Sequence, residues 1–393
     1  MTPAARLQAA IEVLDEVIAS ARDDGPPADM IVTRYFKQRR YAGSKDRRAV
    51  RELVFRAIRR SAERPESGRA AVLGLVEDEP EPELAELFGQ PRGPEPAVDG
   101  EQAAPAGTVP EWIRPELSPL VGVEEWGALL QRAPLDLRVN VARTSREEML
   151  GHFDGAFATS LSPWGMRFAS DSRIDDHPAF AGGLVEVQDE GSQLIALACE
   201  PAEGERILDL CAGAGGKSLA LAAAAPGATI LATDSNRARL SKLAPRAERA
   251  GARIETQLLS PPRELEELVD WREAADVVLV DAPCSGSGTW RRNPEGRWRL
   301  TPDRLERVIA MQQRLLGIAA ELVKPGGDLV YAVCSLLSRE GAGQIERFLV
   351  DHSSWISEEL AIPGGRSDGV GRLLTPGHDR TDGFFVARLK RAC

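Results

Sequence analysis

Two cysteines of this chain stand where sheet enzymes do chemistry. Cys284 lies in Asp281-Ala282-Pro283-Cys284-Ser285-Gly286-Ser287-Gly288, directly after the apolar run Ala275-Asp276-Val277-Val278-Leu279-Val280. Cys334 ends the run Asp328-Leu329-Val330-Tyr331-Ala332-Val333-Cys334. Both runs are rich in aliphatic, β-branched residues and read as buried parallel strands. Each thiol therefore falls at a strand's carboxyl end, the edge at which open α/β sheets bind ligands. A thiol there is a candidate nucleophile. If the two strands are neighbours, the thiols face one cleft. The competing reading is that a free cysteine is a small buried hydrophobe. That reading suits Cys199, and Cys393 is terminal.

A third strand end carries a glycine loop. Arg206-Ile207-Leu208-Asp209-Leu210 reads as a strand, Cys211-Ala212-Gly213-Ala214-Gly215-Gly216-Lys217 as a loop and Ser218–Ala225 as a helix. Backbone N–H groups at such a helix start favour a polar or anionic ligand. The next strand, Thr229-Ile230-Leu231-Ala232, leads to Asp234, an acid suited to a ribose diol. A nucleoside-bearing cofactor is expected, and three types compete. Gly216-Lys217-Ser218 matches the end of a phosphate-binding P-loop, but that motif's first glycine would fall on Cys211. Gly213-Ala214-Gly215 begins a dinucleotide fingerprint, but Ser218 replaces its third glycine. S-adenosylmethionine needs no pyrophosphate cradle and fits best.

Basic and aromatic residues follow Cys284: Trp290, Arg291, Arg292, Arg297, Trp298 and Arg299. Arginine mixed with tryptophan suits phosphate contact and base stacking. A second basic cluster lies between Arg34 and Arg60, with eleven Lys or Arg against two acids, Asp46 and Glu52. Such a run is ordinarily a solvated helix face. In a chain of net charge −11 so one-sided a cluster points to phosphate contact.

The elements that must position these groups follow in order. Leu7, Ile11, Leu14, Val17 and Ile18 give Ala4–Ala21 one apolar helical face, and residues 29–60 read as two more helices. Residues 77–110, rich in Pro, Glu and Gly, read as a loose linker with a short helix near Leu84–Phe88. Trp112–Leu130 reads as helical, broken at Pro119 and Gly122. Residues 134–185 read as a small mixed α/β unit, in which Ser145 and Glu148 form a capping box for Arg146–Phe153. From residue 186 strands and helices alternate, including a helix over Asn236–Ala250 interrupted by Pro245 and another from about Pro302 to Val323. This predicts an α/β, doubly wound, Rossmann-like sheet.

The chain's 393 residues suffice for two or three domains. No cysteine forms a C-x-x-C pair and the four histidines are scattered, so neither a metal site nor a disulfide framework is expected. Reduced thiols, no signal-peptide pattern and no long apolar run predict a cytoplasmic protein that does not enter a membrane. A monomer is expected.

The motifs together resemble the bacterial Sun-type RNA 5-methylcytosine methyltransferases. The matching stretches are Gln188-Asp189-Glu190-Gly191-Ser192-Gln193-Leu194, the loop at 209–217, Asp281 to Gly288, Arg291-Arg292-Asn293-Pro294, Lys324-Pro325-Gly326-Gly327, Cys334-Ser335 and Asp382-Gly383-Phe384-Phe385. They recur in the family's order over about half the chain. The resemblance implies a helical NusB-like RNA-binding domain with linker over 1–108, a small α/β RNA-binding domain over 109–185, and a methyltransferase domain over 186–393. It implies S-adenosylmethionine on residues 211–217, Asp234 on its ribose, and Asp281 near its methionine end and the target base. It implies Cys334 as nucleophile, Cys284 as the residue that helps release product, and ribosomal RNA as substrate. A transfer RNA substrate, or a noncatalytic RNA-binding assembly factor, is the alternative. The chain departs from the family pattern in three places. Gly213 and Ala214 replace an Ala-Pro pair, Val333 stands where the nucleophile is usually preceded by Thr, and Leu258-Leu259-Ser260-Pro261 lacks an acid for the adenine amino group. Ser260 or backbone is the expected substitute.

Overall fold

A computed structural model describes residues 1–78, 82–168 and 172–393. Residues 79–81 and 169–171, within the linker and the small α/β unit read from sequence, lie outside the described residues. The chain forms two compact units.

The first unit comprises Met1–Glu116, Trp126–Gln131 and Thr289–Arg304. Its core is built by helices α1 (Pro3–Arg22), α2 (Ala28–Gln38), α3 (Ser44–Arg60) and α4 (Gly68–Asp78). Thr2 caps α1 by accepting from the Ala5 N–H, and Pro3 takes a first-turn position where its missing N–H costs nothing. Leu7, Leu14 and Val17 of α1 meet Ile31 and Phe36 of α2 and Val50, Val54 and Ile58 of α3. Leu7, Leu14 and Val17 belong to the apolar face read from the periodicity of Ala4–Ala21. Helix α4 gives no such signal, because its glycines and alanines provide little contrast. Gly68 is needed where α4 crosses α1: a Cβ there would lie 2.3 Å from the Ile11 carbonyl oxygen. The stretch expected to be a loose linker is instead docked in its described part. Ala104 N–H donates to the Ala70 carbonyl, Gly107 N–H to that of Arg60, and Arg69 holds Glu101 and the carbonyls of Glu95 and Pro96.

The second unit contains two sheets. The smaller pairs β1 (Leu135–Val139), β2 (Ala156–Ala158), β3 (Gly165–Phe168) and β4 (Val185–Val187) in the order β2-β3-β1-β4. Alternation splits it into an apolar face, with Leu137, Val139, Met166, Phe168 and Val185, and a polar face with Asp136, Arg138 and Glu186. Asp136 takes two bonds from Arg167, at 2.6 and 2.7 Å, and one from the Glu190 N–H. Ser145 caps the short helix Arg146–Leu150 as expected, but the capping box is incomplete: Glu148 accepts from Thr144 instead of returning to the cap.

The larger sheet contains β5 (Arg206–Asp209), β6 (Thr229–Asp234), β7 (Glu255–Leu258), β8 (Ala275–Asp281), β9 (Val323–Val333), β10 (Trp355–Glu358), β11 (Arg366–Asp368), β12 (Gly371–Leu374) and β13 (Phe384–Arg391). Its order is β11-β12-β13-β9-β8-β5-β6-β7, with β10 also on β13. Strands β9-β8-β5-β6-β7 run parallel, and β13 joins β9 antiparallel. The chain moves outward in one direction from β5 to β7 and in the other from β8 to β9. The switch between β5 and β8 opens the crevice at their carboxyl ends. Strand β9 begins earlier than expected, at Val323, and Lys324–Gly327 bulge out before pairing resumes at Asp328. The expected helix after Asp234 splits into Arg237–Leu240 and Leu243–Ala250. Pro245 thus sits in a first turn, where it removes no helical bond.

Candidate active site

The carboxyl edge of the five parallel strands gathers the residues expected to do the chemistry and hold the cofactor. Strand β9 delivers Cys334, β8 delivers Asp281 and Cys284, β5 leads into Cys211–Lys217, β6 ends at Asp234, and Ser260 follows β7. Strands β8 and β9 are neighbours, with Asp281 opposite Ala332. The condition for a shared cleft is met: the Cys284 and Cys334 sulfurs lie 3.3 Å apart, both partly exposed.

The two thiols are not equivalent. The hydrogen bond to Cys334, then burial and the charges of Cys334 and Glu340, push the Cys284 thiol well above the usual range. Cys284 is therefore held as a thiol. Cys211 is likewise held as a thiol, by burial and the nearby Asp209, Asp281 and Asp234 charges.

Asp281 pairs with Lys217 at 2.8 Å. Burial, the largest single influence on Lys217, would lower its pKa, but the charge and hydrogen bond of Asp281 outweigh it and raise the value. The ammonium also lies 5.5 Å from the Phe384 ring centre, a cation–π contact. The pair's charges are thereby fixed beside the thiols.

The glycine loop is built for close approach. Gly213 and Gly215 adopt left-handed φ of +58° and +81°, and a Cβ on Gly215 would lie 2.1 Å from a Leu243 methyl. Asp234 is buried and accepts from the Gly213 N–H at 2.8 Å and the Asn236 N–H at 2.6 Å. The Ser260 N–H donates to Glu267, and Leu259 N–H to the Asp234 carbonyl, holding Ser260 beside Asp234. Asp209, under the loop, accepts from Ser218 at 2.6 Å, and burial pushes its carboxyl up to about 7.

Sequence reasoning missed the polar frame behind the cysteines. Ser285 and Ser335, each directly after a cysteine, have hydroxyls 3.2 Å apart. Both touch Glu340, fully buried, which also takes a bond from Gln312. Two motifs meet in a second brace: Asp189 accepts from the Asp382 N–H, and Gly383 N–H donates to the Gly288 carbonyl. The adjacency of each serine to a cysteine is visible in the sequence, but nothing there links either to Glu340.

The basic run after Cys284 behaves differently from expectation. Within the helical unit Arg297 is buried and donates to the carbonyls of Pro294, Thr108 and Ile58. Trp298 is buried too, its indole N–H on the Ser61 carbonyl, and Arg299 donates to those of Gly25 and Pro26. These side chains satisfy the Ile58 carbonyl in the last turn of α3 and loop carbonyls of the same unit. They are structural in this fold, and Trp298 offers no free face for a base.

A family model described as "16S rRNA methyltransferase RsmB/F" matches residues 196–390. "Probable ribosomal RNA small subunit methyltransferase B" of Synechocystis sp. is 37% identical over 306 residues, covering 72% of this chain and 67% of that protein. The chain spans about two thirds of the length of the curated relatives it matches. Among solved structures, that of PH0851 superposes with a TM-score of 0.75 at 22% identity, covering 100% of this chain and 99% of that one. A methyltransferase homologue from Pyrococcus horikoshii gives 0.61 at 25% identity, covering 70% and 92%. Among the described residues no helix is long and apolar enough to cross a membrane, and no cluster of His, Cys, Asp and Glu could hold a metal ion. By its motifs, its fold and these likenesses, the chain belongs to the RsmB/F family of 16S rRNA methyltransferases.

Proposed function

We propose that this protein methylates carbon 5 of a cytosine in small-subunit ribosomal RNA, through a covalent bond between Cys334 and the base. The observation that carries the proposal is the thiol pair at one strand edge, its sulfurs 3.3 Å apart. Cytosine carbon 5 is a poor nucleophile. A Cys334 thiolate adding to carbon 6 turns it into an enamine carbon that can take a methyl group. Asp281, fixed by Lys217, can hydrogen-bond the pyrimidine edge and steady the charge that develops on the ring.

The residues fit S-adenosylmethionine, which supplies an electrophilic methyl when bound. We assign the Cys211–Lys217 loop to its amino-acid part, Asp234 to the ribose hydroxyls and Ser260 to the adenine; Gly213 and Gly215 let the loop turn tightly there, with Arg239 and Leu243 packed where a Cβ would stand. Cys284 then serves release. The chief cause of its raised pKa is Cys334 itself. Once the Cys334 sulfur is bonded to carbon 6 that cause is gone, so Cys284 can pass its own proton to solvent water, to which it is partly exposed. It then takes the carbon-5 proton, directly or through a water, as the Cys334 thiolate is expelled.

RNA affinity is assigned to the helical unit, the expected NusB-like domain. Several of its basic residues are engaged internally, among them Arg34 with Glu16 and Arg39 with Glu12. Lys37, Arg40, Lys45 and Arg48 are exposed around Tyr41, itself 75% exposed. Lys45 and Arg48 lie in the first turns of α3, where cations oppose the helix dipole. Such placement serves phosphate binding better than stability. A target base held in a duplex must first be flipped out.

Bisulfite sequencing of ribosomal RNA from cells with and without the protein tests this reading. One small-subunit cytosine should lose protection in the deletion and regain it on complementation. Unchanged protection at every position refutes it.

A further inference from the structure

The cysteines sit at the ends of two different strands, yet their sulfurs are within contact. Neither strand alone sets that distance, because each cysteine lies in a turn beyond its ladder. The bonds behind them converge on one residue. Glu340 is fully buried, and its Oε1 accepts from the Ser285 N–H at 2.8 Å and from Gln312 Nε2 at 2.9 Å. Its Oε2 accepts from the Ser335 hydroxyl at 2.5 Å. Gln312 also donates to the Pro283 carbonyl at 2.9 Å, just before Cys284. The Glu340 carbonyl takes the buried Tyr331 hydroxyl at 2.7 Å, which ties the residue back to β9. One carboxylate thus holds the residue after each cysteine. Among the described residues its side-chain partners are all neutral donors, so its charge is not cancelled by an ion pair.

We propose that Glu340 is the positioning residue of the thiol pair: it fastens the turn after Cys284 to the turn after Cys334 and makes the two sulfurs chemically unlike. It touches no substrate and acts through Ser285 and Ser335. A buried negative charge on this frame disfavours a second one on Cys284, and it is one of the causes of that thiol's raised pKa. An ångström-scale loosening of the pair would misalign attack and release together. The proposal rests on Cys334 being the nucleophile, but its test does not depend on methyl transfer alone.

The full-length protein with Glu340→Gln, which keeps the shape and removes the charge, is compared with wild type in two assays. The first is iodoacetamide alkylation of each cysteine across pH, read by peptide mass spectrometry. Wild type should alkylate Cys334 far ahead of Cys284. In E340Q the two reactivities should converge and their pH profiles overlap. The second is RNA methylation, in which kcat should fall by roughly 10²-fold, the cost of such a misplacement, with KM for RNA and for S-adenosylmethionine within about twofold. Ser335→Ala, which keeps the carboxylate, should shift both readouts the same way and carries the test if E340Q does not fold. Folded variants whose cysteines keep the wild-type selectivity and pH profile overturn the proposal. If Cys334→Ala still methylates, the nucleophile assignment fails instead, and the alkylation arm still decides the role of Glu340.

Discussion

The Cys284 and Cys334 sulfurs lie 3.3 Å apart at the ends of adjacent parallel strands, and they share one hydrogen bond. Two thiols this close cannot both ionise cheaply, so one proton stays with the pair. In the proposed mechanism this arrangement divides the chemistry between them: one thiol attacks while the other waits protonated.

Cys334→Ala should therefore lower methyl transfer to RNA by roughly 10⁴-fold or more, the scale seen when a covalent nucleophile is removed. Binding of S-adenosylmethionine, measured by calorimetry, should stay within about twofold, because the glycine loop and Asp234 are untouched. Near wild-type turnover would remove Cys334 from the mechanism.

The Asp209 carboxyl supplies a pH dependence with a definite sign. Its ordinary value of 3.8 is raised to about 7 in the fold. A carboxyl with a raised folded value binds its proton more tightly when folded. Its favourable contribution is complete below pH 3.8, is lost as pH climbs to about 7, and changes no further above that. Asp209→Asn removes the dependence. The melting temperature of the variant minus that of wild type should be larger at pH 8 than at pH 5. The difference is bounded above by about 1.4 kcal/mol for every tenfold gain in the carboxylate's proton affinity on folding. Parallel melting curves across this range would show that Asp209 is not so perturbed.

Trp298 is buried in the helical core and bonded to the Ser61 carbonyl. Trp298→Ala should destabilise the helical unit by about 3–5 kcal/mol, the cost of emptying a large buried aromatic site. Thermal unfolding followed by circular dichroism measures this. A loss below about 1 kcal/mol would return Trp298 to the surface role expected from its place in a basic run.

The exposed cations around Tyr41 separate charge from stacking. Replacing Lys37, Arg40, Lys45 and Arg48 with Ala should flatten the salt dependence of RNA binding, by about 0.7 in log–log slope for each single-strand phosphate no longer neutralised. Tyr41→Ala should weaken binding by about 1–3 kcal/mol with the slope unchanged. If the fourfold variant keeps its slope, this patch is only a solvated helix face.

What is legible in the sequence depends on how local its cause is. Strands β5, β6, β8 and the latter part of β9 declare themselves because each apolar run is short and ends in a polar signature, from Asp209-Leu210-Cys211 to Val333-Cys334-Ser335. The glycine loop is legible because only glycine accepts the φ of residues 213 and 215 without strain. The frame around Glu340 is not, because its bond to Ser285 spans 55 residues and no periodicity encodes such a contact. The Arg297–Arg299 run misleads because residue type is silent about burial. An arginine bonded to helix-end carbonyls and one awaiting a phosphate read alike. Helix α4 hides behind small residues whose packing is specific only once α1 is in place.

Cys284→Ala isolates the release step. The variant keeps Cys334, the Asp281–Lys217 pair and the glycine loop, so attack on carbon 6 and methyl transfer remain open to it. What it lacks is the group beside Cys334 that can take the carbon-5 proton. Without that proton's removal the Cys334 sulfur cannot leave, and the enzyme stays bonded to its product. Cys284→Ala incubated with substrate RNA and S-adenosylmethionine should accumulate a protein–RNA species that survives denaturing electrophoresis. Turnover should end after about one methyl per protein. Cys284→Ala/Cys334→Ala should form no such species, because the sulfur that would bear the bond is gone. Free turnover by the single variant would leave Cys284 with a packing role only. Persistence of the adduct in the double variant would place the covalent bond on another residue and refute the division of labour between the two thiols.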